Sequence, residues 1–401
     1  MAPAVICAGE IQQTWAWRTI CQGLRPTEGV ARFLPETARD RLMAQELLRW
    51  SAAGDAGKLR FQLGYEIAGT WHGQTPVSVE NAGGADPVGR PGSGDLPNAC
   101  NTRGEFRQTA RSLVVGTVER FQGSWRAGDI DVDLGRQPVS LGTSHFIGIL
   151  DVLAPFSPGY LDGTFKPGID ALRLRTRSGR TGEAELIVVP GRSVETRAVL
   201  ARLRRTVRGI DIEGVAGRFR RRDMAGVGWE GEKRGWNIWG EAAVFTRRPD
   251  VERRRAGPRG IARSLIAGVE RQVRALTRVG LAGFYQDFGA DSPGELPEIL
   301  AEAPFRERWA YLGGRGYLIG TFDQEMHPLV RLSAAVLVNA GDGSTLCQPK
   351  IIFNTGDDSD LTLFGWIGAG PDIGTDAGGP VTRSEFGSVA DGIGVLSRWF
   401  F

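Results

Sequence analysis

The stretch Lys58–Trp71, KLRFQLGYEIAGTW, decides the fold. Apolar side chains occupy the odd positions from Leu59 to Ile67, and charged or amide side chains occupy most even positions from Lys58 to Glu66. Strands of soluble proteins usually have about five or six residues, whereas a tilted membrane-spanning strand needs roughly nine to eleven. Strict alternation over so long a run therefore predicts a membrane-spanning β-strand.

The same alternation returns along the chain, at residues 130–134, 172–175, 183–186 and 330–338. Ala38–Trp50 also fits helical spacing, but we predict a strand because it abuts the turn signal at residues 53–57. The candidate strands are 10–20, 38–51, 58–71, 110–126, 129–141, 168–178, 182–192, 197–207, 209–221, 222–231, 234–246, 261–273, 275–286, 307–323, 328–340, 345–355, 359–369 and 388–401. These make about eighteen strands, with sixteen also acceptable, and an even number is typical of bacterial single-chain barrels.

Two kinds of connection alternate between these strands. Tight turns occur at residues 127–128, 178–182, 208–209 and 356–358, and long loops at residues 72–109, 142–167, 247–260, 287–306 and 370–387. Short periplasmic turns and long extracellular loops are typical of outer-membrane barrels. The sequence thus predicts an all-β, transmembrane antiparallel barrel of about 16–18 strands as one domain over residues 10–401, with residues 1–9 as a residual export signal or an N-terminal tail.

Composition argues against several other classes. The 401 residues include 57 glycines, and 49 Lys+Arg against 46 Asp+Glu give a formal net charge of only +3, which does not favour nucleic-acid binding. The four cysteines and three histidines are scattered, so we expect no metal site and no cofactor. A Cys21–Cys100 disulfide between surface loops and reduced, inert thiols both remain open.

The chain ends in VLSRWFF, an amphipathic strand closing on Phe401. This ending resembles the assembly signal of Gram-negative outer-membrane proteins, which implies recognition by the barrel-insertion machinery. Asp133–Pro138 and Leu150–Pro158 resemble porin-like barrels of the alginate-export type. The resemblance covers almost the whole chain, and it implies an integral outer-membrane protein.

Tryptophans near the predicted strand ends fit interfacial girdles at the headgroup level. They are Trp15, Trp17, Trp71, Trp125, Trp236, Trp239, Trp309, Trp366 and Trp399. The basic run Arg247–Arg255 falls in a predicted external loop, where it either contacts lipopolysaccharide phosphates or is simply solvated.

Alternation also predicts which charges face the lumen, because barrels of about sixteen to eighteen strands are too wide for side chains to fill. The predicted pore-lining residues are Arg60, Glu66, Asp131, Asp133, Arg173, Arg175, Arg177, Glu183, Glu185, Arg202, Arg204, Arg278 and Arg331, with Glu241 and Arg398 on the same inferred side. Opposed basic and acidic rows would set a transverse field, and the arginines would favour anions. The alternative is that these charges merely pair across strands.

The loop at residues 142–167 is too apolar to face water, since it carries Phe146, Ile147, Ile149, Leu150, Val152, Leu153, Phe156 and Tyr160. By resemblance to porins, it would fold inward and form the constriction, with Asp151, Asp162 and Lys166 as lining residues. A loop packed over the barrel mouth and a subunit contact are equally compatible with its composition.

These features predict a porin-like channel for passive diffusion of small polar, anionic solutes through an arginine-rich lumen. The chain lacks GxGxxG, Walker, HExxH and GxSxG motifs, so an enzyme is not expected. The alternatives are a binding or structural barrel with a plugged lumen and, with less support, a barrel enzyme. The expected partners are outer-membrane lipid, lipopolysaccharide, the insertion machinery and small solutes, with homo-oligomerisation left open.

Overall fold

The computed structural model describes residues 11–32, 41–73, 98–156, 165–246, 260–376 and 379–401. Its first strands are β1 (Gln12–Arg25), β2 (Arg41–Ala56), β3 (Leu59–His72), β4 (Arg103–Gln108), β5 (Ser112–Ala127), β6 (Ile130–Gln137), β7 (Ile169–Ser178), β8 (Gly182–Val189), β9 (Ala198–Val207) and β10 (Ile210–Phe219). There follow β11 (Arg222–Lys233), β12 (Trp236–Thr246), β13 (Ile261–Arg274), β14 (Thr277–Gln286), β15 (Gly316–His327), β16 (Val330–Asn339), β17 (Thr345–Gly356), β18 (Ser359–Ala369), β19 (Gly374–Asp376), β20 (Gly379–Val381) and β21 (Asp391–Phe400).

Short helices occur only in connections within the described residues: α1 (Glu28–Ala31), α2 (Leu296–Leu300) and α3 (Ala303–Arg306), with 3-10 turns at Val194–Thr196 and Pro293–Glu295. Among the described residues, no helix is both long and apolar enough to cross a membrane. The residues expected to form an N-terminal tail, 1–9, lie outside the described part of the chain, as does the basic run at residues 247–255.

Eighteen strands close into an antiparallel barrel, which confirms the predicted fold class. Closure runs through β1, whose Trp17 pairs with Leu48 of β2 on one side and with Trp399 of β21 on the other. β21 in turn pairs with β18. Reciprocal backbone hydrogen bonds join Trp15 and Phe401, with N···O distances of 2.6 and 2.9 Å. Both edges of β1 are therefore hydrogen-bonded to neighbouring strands, as a strand in lipid requires.

The outer and inner faces follow the alternation in the sequence. On β6, Leu134 is 53% exposed and points outward, whereas its neighbour Asp133 is buried and points inward. On β9, Leu203 is 62% exposed between Arg202 and Arg204, which form ion pairs with inward-facing carboxylates. Exposed apolar side chains on the outer face of the described strands are typical of a barrel surrounded by lipid.

The two ends of the barrel differ as predicted. At the end that we call the turn end, two-residue turns such as Arg208–Gly209 (φ 52° and 81°) and Arg234–Gly235 (φ 54° and 77°) place both residues in the left-handed region. This geometry matches the twist of a hairpin. We call the opposite end the loop end, because its connections are mostly longer. The two-residue turn Arg220–Arg221 is an exception at that end.

Several predicted boundaries were wrong for a common reason, namely packing of the loops. β6 ends at Gln137 rather than at residue 141 because the chain leaves the wall at Pro138 and enters the lumen. β15 begins at Gly316 rather than at residue 307 because the preceding residues form α3 and a buried connection. β4 was missed, since this exposed strand lies inside a predicted loop and is held by pairing with β5.

The tryptophans form a girdle mainly at the turn end. Trp15, Trp17, Trp125, Trp236 and Trp399 are each 38–44% exposed on the outer face, and Trp71 is exposed near the loop end. The girdle prediction was wrong for Trp239 and Trp309, which are buried inside the barrel, and for Trp366, which borders the lumen. Inward-facing rings are buried by the loops, and sequence alone does not distinguish these rings from girdle rings.

Arg136 on β6 fastens the segment that leads into β4. Its guanidinium forms a bidentate ion pair with Asp170 of β7 at 2.7 and 2.9 Å, and donates to the carbonyls of Cys100 (2.8 Å) and Val118 (2.9 Å). Asp170 also accepts the backbone N–H groups of Ala99 and Cys100, at 2.8 and 3.0 Å. Cys21, Cys100 and Cys347 are free thiols, and Cys21 lies on β1 rather than in a loop.

We predict that Arg136→Ala destabilises the barrel by about 3–5 kcal/mol, because removing one partner of a buried ion pair leaves the other charge unpaired. Urea unfolding of the protein in detergent micelles measures this change. Arg126→Ala is the matched control, since Arg126 forms an exposed ion pair with Asp131 at the β5–β6 turn. Equal unfolding midpoints for the two variants would contradict the structural role of Arg136.

Candidate functional site

Three connections from the loop end fold into the barrel. The segment at residues 138–156, which we call the inner loop, buries Val139, Leu150 and Ala154 completely. It shares one apolar core with inward-facing residues of the wall, among them Ile187, Leu200, Val215, Phe219, Met224, Phe245, Ile266 and Ile319. The inner loop thus lies inside the barrel, and its apolar composition is explained by this packing rather than by a place over the mouth or at a subunit contact.

The connection at residues 287–315 contributes an aromatic anchor to the same core. The Trp309 ring lies 4.9 Å from Phe288, 5.3 Å from Phe245 and 5.4 Å from Phe219, measured between ring centroids. The guanidinium of Arg222 stands 5.2 Å from the Trp309 ring. Large rings in such contacts bury much apolar surface and gain from their edge-to-face geometry.

The connection at residues 370–390 is held by Glu385. Its carboxylate accepts the Gly313 N–H at 2.7 Å, the Asn339 Nδ2 donor at 2.7 Å and the Tyr317 hydroxyl. Burial raises the pKa of Glu385 above its usual range. All three inward connections are therefore fixed to the wall by specific contacts.

A cavity of about 990 Å³ remains between the inner loop and the opposite wall. On the loop side it is lined by Leu141, His145, Phe146, Asp151, Phe156 and Lys166. On the wall side it is lined by Glu270, Arg278, Thr321, Asp323, Arg331, Ser333, Gln348, Lys350 and Trp366. The lining is thus amphipathic and strongly charged.

The wall side carries more positive than negative charge. Arg278, Arg331 and Lys350 lie on β14, β16 and β17, around the carboxylate of Asp323 on β15, which separates β14 from β16. Asp323 accepts the Ser333 hydroxyl at 2.7 Å and lies 3.6 Å from the Arg331 guanidinium. On the loop side, Lys166 and Asp151 form a buried ion pair. Three bases face two acids, Asp323 and Glu270, and Glu270 is bonded to His145, so the net field at this wall is positive.

The predicted lining residues fall into different groups. Arg278, Arg331, Asp151 and Lys166 border the cavity, whereas Asp162 lies outside the described residues. A second group forms ion pairs along the wall: Glu66 with Arg49, Asp133 with Arg175 (2.5 Å), Arg173 with Glu185 (2.5 Å), Arg202 with Glu183 (2.8 Å) and Glu185 (2.7 Å), and Arg204 with Glu213 (3.7 Å). For this group the structure agrees with the alternative prediction, in which the charges pair with each other across neighbouring strands.

A third group lies towards the turn end. Arg60 forms an exposed ion pair with Asp55 at 3.1 Å, Asp131 forms one with Arg126 at 2.6 Å, and Arg177 is next to the β7–β8 turn. Arg398 on β21 pairs with Asp360 at 3.0 Å. Phe401 is exposed at the chain end, bonded through its backbone to Trp15.

Sequence reasoning missed Lys350, Asp323, Glu270 and His145 as cavity residues. Lys350 stands between Pro349 and Ile351 in an alternating strand, so its position was a usable signal. His145 offered none, because its partners come from β11 and β13. Its ring stacks on Trp239 at 5.0 Å, while Nδ1 lies 3.0 Å from Glu270 Oε1 and Nε2 3.0 Å from Glu230 Oε1.

The hydrogen bond with Glu270 raises the pKa of His145, against the opposing effect of burial, and the nearby charge of Glu230 adds to the rise. A raised pKa favours the imidazolium in the folded protein. The contacts of His145 with the two carboxylates are therefore strongest below its usual pKa, and they weaken as pH rises through the folded value.

We predict that Glu270→Gln lowers the pKa of His145, because the variant loses the carboxylate whose hydrogen bond raises that pKa most. Imidazole NMR of the protein in micelles measures this pKa, with His145→Gln to assign the signal. Glu232→Gln, on the exposed end of β11, is the control that should leave it unchanged. An identical His145 titration in the wild type and Glu270→Gln would show that Glu270 does not influence the histidine.

No protein-family model and no curated protein matches this chain. It is similar to several solved structures along almost its full length. Pseudomonas aeruginosa OccK9 (OpdG) has 12% identity, a TM-score of 0.56 and coverage of 98% of both chains. Acinetobacter baumannii OccAB4 has 9% identity, a TM-score of 0.58 and coverage of 99% of both chains. Pseudomonas aeruginosa OccK2 (OpdF), in complex with glucuronate, has 9% identity, a TM-score of 0.56 and coverage of 98% of both. These neighbours are outer-membrane porins. The likeness establishes that this chain has the fold of an eighteen-stranded outer-membrane barrel.

Proposed function

We propose that this protein is a porin-like channel in the outer membrane of a Gram-negative bacterium, through which small polar solutes diffuse down their gradients. The observation that carries the proposal is a charged cavity of about 990 Å³ inside a closed barrel whose outer face is apolar. A closed barrel satisfies its backbone in lipid, and a charged interior favours water and polar solutes. The porin fold of the structural neighbours supports the same function.

We infer a preference for anions from the charges around the cavity. Arg278, Arg331 and Lys350 outnumber the wall-side acids Asp323 and Glu270, and arginine binds carboxylate or phosphate through a planar fork. A basic surface in a narrow aqueous passage raises the local concentration of anions. The remaining predicted lining arginines contribute less, because neighbouring carboxylates largely neutralise them.

Sugar acids are the first solutes to test. They combine a carboxylate with hydroxyl groups and a compact ring, which suits a cavity lined by bases, Ser333 and Gln348, and the ring of Trp366. One structural neighbour was solved in complex with glucuronate. The resemblance of two short segments to alginate-export barrels points to the same class of solute.

The expected surroundings follow from the same proposal. Outer-membrane lipid would contact the apolar outer face and the tryptophan girdle, and lipopolysaccharide the loop end. The insertion machinery would recognise the last strand up to Phe401. Homo-oligomerisation stays a prediction. No cofactor enters the proposed function, which is transport and not catalysis.

Conductance in a planar bilayer tests the function directly. We expect the purified, refolded protein to give steady ohmic openings, with an anion-biased reversal potential under a KCl gradient. Added glucuronate should reduce the current more than equimolar glucose does. A protein that is folded by circular dichroism but silent in the bilayer would refute the channel and favour a binding or structural barrel with a plugged lumen.

We further predict that the double variant Arg278→Gln, Arg331→Gln shifts the reversal potential towards cation preference, because it removes two of the three wall-side bases. Reversal potentials under the same salt gradient measure the shift. Arg218→Gln is the control, since Arg218 forms an exposed ion pair with Asp223 and does not line the cavity. Equal selectivity in the wild type and the double variant would exclude these arginines as the source of anion preference.

A further inference from the structure

The inner loop has no regular secondary structure between residues 138 and 156, so its buried backbone donors need partners from elsewhere. Two carboxylates of the barrel wall accept five of them. Glu213 on β10 accepts the N–H of Gly142 at 2.7 Å. Glu241 on β12 accepts four: Thr143 (2.6 Å) and Ser144 (2.7 Å) at Oε1, and Ile149 (2.6 Å) and Leu150 (3.0 Å) at Oε2.

Glu241 is fully buried beneath the inner loop, so it does not line the open cavity as its strand position had predicted. Among the described residues, its surroundings are four backbone N–H groups and no lysine or arginine. Its charge is instead met by four converging N–H dipoles. Burying a carboxylate without partners is very unfavourable, whereas hydrogen bonds from backbone N–H groups are among the strong, charge-assisted ones.

The fit between loop and wall is close at this point. Gly142 has φ +91°, and a Cβ at this residue would lie only 2.1 Å from Glu241 Oε1. The Thr143 hydroxyl lies 3.3 Å from the Trp229 carbonyl and 3.2 Å from the Gly240 carbonyl. Apolar packing is not directional, so it accounts for the loop being inside but not for its exact place. Hydrogen bonds to Glu241 fix the two ends of the segment at residues 143–150.

We propose that Glu241, assisted by Glu213, is the positioning residue that sets the width of the channel by holding the inner loop in the lumen. The inference rests on the proposed channel function. The same loop carries Phe146, Asp151 and Phe156 at the cavity, so any displacement of its backbone moves one whole side of the passage. Selectivity and conductance then depend on a residue that no solute touches.

Glu241→Ala removes both carboxylate oxygens, and with them the hydrogen bonds of four buried N–H groups, whose remaining partner is water. We expect a larger mean single-channel conductance and greater open-channel current noise than in the wild type, with the barrel still folded. Glu241→Gln should be intermediate, because its amide oxygen accepts two N–H groups while its NH2 faces the other two. Glu232→Ala, at the exposed end of β11, is the matched control with wild-type conductance and noise.

A reversible tether separates loop displacement from other effects of the substitution. A Cβ added at Gly228 would lie 2.9 Å from Thr143 Oγ1, a separation suited to a disulfide between cysteines at these positions. Thr143→Cys, Gly228→Cys in the Glu241→Ala background should show wild-type conductance and noise when oxidised, and lose both on reduction. Thr143→Cys alone should not respond to reductant.

Wild-type conductance and noise in a folded Glu241→Ala variant would overturn the proposal, as would a tether that changes nothing. If Glu241→Ala does not fold, Glu241→Gln with and without the tether gives the same comparison. A silent wild-type protein would instead refute the channel function itself, so the two failures are distinguishable.

Discussion

The structure depends on the closure of the sheet between β1 and β21. In lipid every backbone N–H and C=O needs a partner within the protein, and an unpaired group costs several kcal/mol. Trp17 of β1 faces Leu48 on one neighbour and Trp399 on the other, so the first and last strands satisfy each other. Without this pairing two strand edges would face lipid. The outward apolar residues, the girdle and the enclosed lumen all presuppose it.

Closure with eighteen strands creates a second problem, which is an interior too wide for side chains to fill. The protein solves it with its own connections. Wall residues such as Leu200 and Ile266 are apolar although they point inward, because the inner loop and the connection at residues 287–315 cover them. Part of the lumen is thereby converted into a packed core, while a charged cavity remains beside it. The short turns at the turn end do not fill the lumen in this way.

The charges divide along the same line. On the strands β6–β10, acids and bases pair across neighbouring strands, as Arg173 does with Glu185. On β14–β17, the bases Arg278, Arg331 and Lys350 surround a single acid at the cavity. Paired charges keep the wall hydrated, but their electric fields largely cancel. Unbalanced charges leave a net field that acts on a passing solute. Glu241 belongs to neither group, since its charge stabilises the backbone of the inner loop.

The sequence by itself determined the barrel, its count of about 16–18 strands, its tight turns and the outward face of strands such as β3. These are local properties, because alternation such as that of Lys58–Trp71 and turn residues such as Arg208–Gly209 act over a few positions. The partners of the inward residues were decided only by the tertiary structure. Glu241 and Glu185 share an alternating pattern and an inward face, yet one lies under a loop and the other pairs with arginine. Period-two alternation fixes a side of the sheet, while a side chain's partner depends on where loops distant in sequence pack.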